Sequence, residues 1–227
     1  MDVVLVAGMW LDGSAWSAVV SVLEVLGHRP VALNLSGQSS GAGPASLDDQ
    51  VEAVVAALDA VTSPVLIVGH SAAATLAWMA ADARPDKVAR VVMIGSFPSG
   101  DGGAYNDAFP VVEGVVPFPG WDAFDRSVVV DLDDKQRSSI EARVVSVPGA
   151  VFTGIVPLQN DKHFEVPVTV VCPEFSPAQA KEWVDSGALP ELARVRRVEL
   201  ADIDSGHWPM FTRPVELAEL SGAAADA

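Results

Sequence analysis

One serine and one histidine in this 227-residue chain have sequence surroundings that suit nucleophilic catalysis. Ser71 lies in the run Val-Gly-His-Ser-Ala-Ala, between an apolar stretch at residues 65–68 and an alanine-rich segment. Small residues around a serine let the backbone fold sharply and leave the hydroxyl exposed beside a helix N-terminus. Such a serine becomes a nucleophile when a nearby base accepts its proton. The alternative is that Ser71 only caps the following helix.

His207 is the best candidate for that base among the four histidines of the chain. Histidine has a pKa that suits proton transfer near neutral pH. His207 lies in the run Ser-Gly-His-Trp-Pro just after the last predicted strand, so we expect it at the same sheet edge as Ser71. His28 lies in a turn, His163 precedes a strand, and His70 would point away from the Ser71 hydroxyl. A surface or packing role for His207 is the alternative.

The segments that must position these residues alternate between strand and helix patterns. Apolar runs predict strands at residues 3–6, 30–35, 65–68, 88–94, 166–172 and 195–200. Helical patterns occur at residues 16–26, 46–61, 72–83, 133–145, 177–184 and 214–220. Alternation of this kind predicts an α/β fold with a mostly parallel, doubly wound sheet and helices on both faces. We also predict a loop at residues 36–45 and a frayed tail at 221–227.

The alternation stops between residue 97 and about residue 165. Prolines interrupt this block, and only residues 133–145 within it have a helical pattern. A block of this kind predicts a short cap-like insertion over one edge of a single domain that spans residues 1–227. Its apolar side chains either line a pocket or pack on the sheet, and packing is the more frequent use.

These motifs resemble those of the α/β-hydrolase superfamily. Residues 69–73, Gly-His-Ser-Ala-Ala, resemble its Gly-x-Ser-x-Gly nucleophile elbow, with alanine in place of the second glycine. Residues 10–16 resemble the small-esterase branch that includes hydroxynitrile lyases and methylesterases. Many members have His-Gly in the loop before this segment, whereas this chain has Ala7 followed by Gly8. The resemblance covers nearly the whole chain and implies an α/β-hydrolase fold.

The resemblance also implies an acid that orients His207, and two positions are open for it. Glu174 is the only carboxylate in the loop after the strand at 166–172, and we favour it. Asp101 is the alternative, because some members place the acid after the preceding strand. Ser176 occupies the usual place of the aspartate, so a site without an acid also remains open; such a site would be slower but not inert.

The remaining site residues follow from the same resemblance. Acyl transfer needs donors for an oxyanion, and we assign the backbone N–H groups of Met9 and Ala72 to that role. We expect Trp10, His70 and Trp208 to line the substrate pocket. No metal is expected, because the histidines are dispersed and no His-Glu-x-x-His run occurs. No cofactor is expected either.

We therefore predict a serine hydrolase that cleaves a carboxylic ester, thioester or lactone through a Ser-His-acid triad and an acyl-enzyme. Its substrate would be a small molecule with an apolar portion. The first alternative is a non-hydrolytic enzyme of the same fold, either a lyase or a cofactor-free oxygenase. The second is a small-molecule binding protein with a degenerate triad.

The charge and the hydrophobic pattern of the chain argue against nucleic acid and membranes as partners. A formal net charge of −16 and a pI near 4.4 argue against binding to nucleic acid or to an anionic membrane. No apolar run approaches the ~18 residues of a membrane span, and no secretory signal is visible, so we expect a cytoplasmic protein. The single cysteine, Cys172, is predicted to be a core residue. The sequence does not indicate an oligomeric state.

Overall fold

A six-stranded parallel sheet forms the centre of the computed structural model, which describes residues 1–38 and 43–226. The strands of the described residues are β1 (Asp2–Val6), β2 (Arg29–Ala32), β3 (Val65–His70), β4 (Val88–Ile94), β5 (Val115–Val116), β6 (Val147–Pro148), β7 (Val168–Cys172) and β8 (Val198–Asp202). The large sheet has the order β2-β1-β3-β4-β7-β8, and every pair in it is parallel. Strands β5 and β6 form a separate antiparallel pair.

Helices lie on both faces of the sheet. Those in the described residues are α1 (Ser17–Val25), α2 (Leu47–Asp59), α3 (Ala73–Ala83), α4 (Asp134–Glu141), α5 (Gly149–Phe152), α6 (Pro177–Asp185), α7 (Pro190–Arg194), α8 (Pro209–Thr212) and α9 (Pro214–Asp226). Capping boxes begin α2 at Ser46, α4 at Asp133 and α6 at Ser176. Within the described ranges, every helix is too short or too polar to span a lipid bilayer.

Two hydrophobic cores cover the two faces because successive strand residues point in opposite directions. Val4 and Val6 pack in the core that contains α2 and α3, whereas Val3 and Leu5 pack in the core that contains α1 and α9. Strands β3 and β7 are buried along their whole length, as central parallel strands covered by helices must be. The predicted α/β fold with a parallel sheet is confirmed.

The register of the sheet aligns the carboxyl ends of its strands at one edge. The pairs nearest that edge are Val6 with Gly69, His70 with Ile94, and Cys172 with Asp202. The loops after β1, β3, β4, β7 and β8 therefore start close together. These loops carry all the residues assigned to the chemistry from the sequence, with the exception of Asp101, which lies further along the chain after β4.

Residues 95–167, between β4 and β7, are called the cap segment below. They contain β5, β6, α4 and α5 together with two short 3-10 turns, Trp121–Ala123 and Asp161–Glu165. Val116, Val147 and Phe152 from this segment are buried in the same core as α2 and α3. The cap segment therefore packs directly against the sheet and its helices.

Several predicted boundaries are wrong. The helix at 133–145 ends at Glu141, and the strand at 30–35 ends at Ala32. The tail is not frayed, because α9 continues to Asp226, and Ala224 and Ala225 pack in the core with α1. Residues 39–42 of the predicted loop lie outside the described residues.

Cys172 is buried as predicted. Its burial, and after that the nearby charges of Asp202 and Glu174, raises the pKa of its thiol to about 12.

Candidate active site

Ser71 lies in a sharp turn between β3 and α3. Its φ of 53° is in the left-handed region, which costs a residue with a side chain roughly 1–3 kcal/mol. The Ser71 N–H donates to the carbonyl oxygen of Ile94 over 2.8 Å, which holds the turn against β4. A Cβ atom at Gly69 would collide with the carbonyl oxygen of Ala73, so this turn requires glycine at position 69. Alanine at position 73 is buried and fits.

The loop after β1 packs tightly against this turn. A Cβ atom at Gly8 would lie 2.9 Å from His70 Nδ1 and 3.0 Å from Ser71 Cβ, so only glycine permits the contact. Met9 follows directly. In the described part of the chain, the N–H groups of Met9 and Ala72 donate to no protein acceptor. Both are therefore free to bind a developing oxyanion beside Ser71.

His207 and Glu174 are joined by a short hydrogen bond. His207 Nδ1 donates to Glu174 Oε1 over 2.6 Å, and both side chains are more than four-fifths buried. With Nδ1 carrying the proton, Nε2 of the neutral ring is the acceptor. Gly95, at the end of β4, makes room for this pair, because a Cβ atom there would lie 3.0 Å from His207 Nδ1 and 3.3 Å from Glu174 Oε2. Gly95 was not among the residues predicted for the site.

The structure brings Ser71, His207 and Glu174 to one cavity. No hydrogen bond joins the Ser71 hydroxyl to the His207 ring, and the hydroxyl has no other partner among the described residues. Catalytic hydrogen bonds are often long before a substrate binds, so this geometry is compatible with proton transfer. The cavity therefore holds a serine, a histidine and a carboxylate that can act together in nucleophilic catalysis.

The other acid considered, Asp101, lies away from His207. It is exposed, and its Oδ1 accepts a hydrogen bond from the Leu158 N–H over 2.9 Å within the cap segment. Ser176 is the N-cap of α6 and accepts from the Gln179 N–H. Of these three positions, only Glu174 contacts the histidine.

His70 is almost completely buried, and its side chain contacts the backbone of His207. Its Nε2 lies 2.8 Å from the His207 carbonyl oxygen, and the two rings are 4.8 Å apart. Burial, and after it the nearby His207, holds the pKa of His70 well below its usual range. His70 contributes to the cavity wall, as expected, but its polar contact to His207 was not predicted.

The cavity has a volume of about 200 Å³. Trp10 and Trp208 line it. The cap segment adds Asn106, Phe109, Phe124 and Val128 to the cavity wall. The apolar content of the segment was the sequence signal for Phe109 and Phe124, and no signal pointed to Asn106 or Val128. In the part of the chain that the structure describes, no three His, Cys, Asp or Glu side chains are grouped as metal ligands.

An aromatic cluster connects the cap segment to the loops that carry the site. Trp10 packs edge-to-face against Phe109, with ring centroids 5.0 Å apart, and its Nε1 donates to the Val116 carbonyl oxygen. Trp208 packs in the same way against Trp121 and Phe124, each at 5.3 Å. The walls of the cavity are therefore aromatic on both sides.

A model of the alpha/beta hydrolase family matches residues 3–220. The chain belongs to the alpha/beta hydrolase family. This result confirms the resemblance inferred from the serine turn and the loop after β1. No curated protein matches this alpha/beta hydrolase.

Solved structures share the fold of this alpha/beta hydrolase over its full length. An extracellular alpha/beta-hydrolase from a Paenibacillus species, described as a structural and functional homologue of tobacco salicylic acid binding protein 2, has a TM-score of 0.82 and 17% identity, with all of both chains covered. A methylesterase from Arabidopsis has a TM-score of 0.78 and 15% identity, covering 100% of this chain and 99% of its own. A pyrethroid hydrolase from Sphingobium faniae has a TM-score of 0.73 and 19% identity, covering 100% and 98%. At these identities the likeness shows the fold alone.

Proposed function

We propose that this alpha/beta hydrolase is a serine hydrolase that cleaves a compact carboxylic ester, thioester or lactone through an acyl-enzyme. The observation that carries the proposal is the hydrogen bond of 2.6 Å between His207 Nδ1 and Glu174 Oε1 beside the left-handed turn of Ser71. In the neutral ring, this hydrogen bond puts the proton on Nδ1 and leaves Nε2 as the atom that can accept a proton. An enzyme of the hydrolase class is consistent with the family to which the chain belongs.

In the first half of the reaction, the Ser71 hydroxyl oxygen attacks the substrate carbonyl carbon, and its proton moves to His207 Nε2. The carbonyl oxygen becomes an oxyanion that accepts hydrogen bonds from the Met9 and Ala72 N–H groups. Glu174 stabilises the positive charge that develops on His207. When the intermediate collapses, the bond to the leaving oxygen or sulfur breaks, and His207 returns the proton to it.

In the second half, water attacks the acyl-enzyme by the same route. His207 accepts a proton from the water, and the oxyanion forms again at Met9 and Ala72. Collapse then breaks the bond to the Ser71 oxygen, which recovers its proton from His207 and releases a carboxylic acid. No step requires a cofactor.

The cavity limits the size of the substrate. Its volume of about 200 Å³ is smaller than the roughly 300–1,000 Å³ of pockets for drug-sized ligands. We infer that the cap segment closes this cavity over Ser71 with aromatic side chains. A short acyl or aryl group fits such a space, whereas a long acyl chain would have to extend beyond it.

The test is covalent labelling with a fluorophosphonate, followed by intact-mass measurement. The wild-type protein should gain one adduct, and Ser71→Ala should gain none. Ser138→Ala is the matched control, because Ser138 is exposed on α4 and its substitution should leave labelling unchanged. p-Nitrophenyl acetate should then be hydrolysed faster than p-nitrophenyl octanoate. A wild-type protein that forms no adduct would contradict the proposal and favour a binding protein.

A further inference from the structure

Asn106 is the one side-chain amide among the described residues that line the cavity. It comes from the cap segment, and the proposed reaction gives it no role. The same cavity wall includes Phe109, Phe124 and Trp10, which are apolar except for an indole N–H already bonded to Val116. A polar group in such a wall can fix the orientation of a bound molecule.

The orientation of the Asn106 amide is determined by a hydrogen bond. The Ala108 N–H donates to Asn106 Oδ1 over 2.9 Å, so the oxygen of the amide faces Ala108. The amide nitrogen, Nδ2, has no acceptor among the described residues. Asn106 is a lining residue of the cavity, and the two N–H groups of its amide are donors without a protein partner.

The backbone around Asn106 is also held in place. The Asn106 N–H donates to the Phe152 carbonyl oxygen over 3.2 Å, and the Tyr105 N–H donates to the Gly154 carbonyl oxygen over 2.8 Å. These bonds tie the strand-like segment of Asn106 to α5 and the residues after it. A donor that is ordered before binding loses little entropy when it binds a ligand, so it discriminates well between ligands.

We propose that Asn106 Nδ2 donates a hydrogen bond to an acceptor on the substrate, and that the substrate is a compact aryl ester with an acceptor atom on its ring. Only the ester group of this proposed substrate rests on the proposed hydrolase function. The aromatic ring follows from the side chains of Trp10, Phe109 and Phe124, because rings that line a cavity favour an aromatic ligand. The acceptor follows from the unpaired donors of Asn106.

The experiment measures binding without turnover, on protein carrying Ser71→Ala. Four ligands of nearly equal size are compared by calorimetry: methyl benzoate and the three methyl pyridinecarboxylates, in which the ring nitrogen scans the ring. One pyridine isomer should bind about tenfold more tightly than methyl benzoate, as expected for one added hydrogen bond. The position of the nitrogen in that isomer then locates Asn106 relative to the ester.

Asn106→Asp is the decisive variant, because an aspartate still accepts from the Ala108 N–H but has no donor for the ring nitrogen. In this variant the preference for the pyridine isomer over methyl benzoate should disappear or reverse. Asn106→Leu should also abolish it. The matched control is Asn34→Asp, since Asn34 likewise accepts from a backbone N–H, that of Gly13, outside the cavity. This control should leave the preference unchanged.

Equal affinity for all four esters, no binding of any of them, or a preference that survives in Asn106→Asp would overturn the inference. These outcomes are separate from failure of the proposed function. A wild-type protein that takes no fluorophosphonate adduct, while the Asn106 variants still change the preference, would remove the hydrolase mechanism and keep Asn106 as a recognition residue. Normal fluorophosphonate labelling of the wild-type protein, with a ligand preference that the Asn106 variants do not change, would keep the hydrolase mechanism and remove the role of Asn106.

Discussion

His70 Nε2 donates a hydrogen bond to the carbonyl oxygen of His207 over 2.8 Å. Because a carbonyl oxygen only accepts, the proton of the His70 ring must be on Nε2. The bond ties the residue before Ser71 to the backbone of the candidate base. Burial holds the pKa of His70 well below its usual range, so the ring stays neutral and the donor stays in place at neutral pH.

Replacing His70 should therefore lower turnover more than substrate affinity. His70→Phe keeps a ring of similar size but leaves the His207 carbonyl oxygen without a donor, so we expect kcat to fall by about tenfold with little change in KM. His70→Gln should recover part of this loss, because its amide nitrogen can reach the same oxygen. Both constants are measured with p-nitrophenyl acetate. Wild-type kcat in His70→Phe would show that the bond does not position the base.

The same residue predicts how stability depends on pH. In the unfolded chain His70 titrates near pH 6.5, whereas in the folded protein its pKa is lower. The unfolded state therefore binds more protons below pH 6.5. The stability from neutral His70 is fully present above this pH and is lost as the pH falls toward the folded pKa.

Urea unfolding at pH 7.5 and 5.5 measures this effect. Between these pH values the wild-type protein should lose about 1 kcal/mol more free energy of unfolding than His70→Gln, which has no titrating group there. The carboxylates contribute equally to both proteins, so the difference isolates His70. Identical pH dependence in the two proteins would contradict the buried neutral state.

The two candidate acids can be distinguished by isosteric substitutions. Glu174→Gln removes the charge opposite His207 and should lower kcat on the order of 10³-fold, since the imidazolium loses its counter-charge. Asp101→Asn should retain nearly full activity, because Asp101 is exposed and its replacement still accepts from the Leu158 N–H. Ester hydrolysis by the two variants is compared at saturating substrate. The reverse pattern would move the acid to Asp101.

Gly95 provides a test of the space around the His207–Glu174 pair. Gly95→Ala adds a Cβ atom 3.0 Å from His207 Nδ1 and also strains a backbone with a φ of 63°. Gly102→Ala is the control, because it has a similar φ of 73° but no atom within 4 Å of the added Cβ. Both variants should lose roughly 1–2 kcal/mol of stability from the left-handed backbone.

Only Gly95→Ala should also lose activity, by an estimated order of magnitude or more through displacement of the base. Thermal unfolding and ester hydrolysis are measured on both variants. Equal activity of Gly95→Ala and Gly102→Ala would show that the His207–Glu174 pair tolerates the added methyl group. Glycine at position 95 would then be required only for the left-handed backbone.

The fold follows from local patterns, which is why it was predictable. The buried runs of β3 and β4 are short, apolar and separated by helical segments, and this alternation has few solutions other than a parallel sheet. The sheet then brings Ser71 and His207 to one edge, because both follow the carboxyl ends of strands. Ser71 and His207 therefore share a cavity because of the sheet topology, although they are distant in the sequence.

The choice of acid and the cavity wall depend on tertiary contacts that no local pattern records. Glu174 and Asp101 both follow strands, and only their tertiary contacts distinguish them, to His207 and to the Leu158 N–H respectively. Asn106 and Phe109 lie in a segment without regular periodicity, so their direction is set by pairing with α5 and by packing on Trp10. The wrong prediction for the tail has another cause. Its alanines favour helix, and that propensity was given too little weight.

The position of β8 at the margin of the sheet has a consequence for the maturation of the polypeptide. This strand pairs with β7 alone, and His207 follows it. In the proposed mechanism, a molecule in which β8 is not docked on β7 would lack His207, its proton acceptor, beside the serine turn. Enzymatic turnover would then report that β8 has paired with β7 during folding.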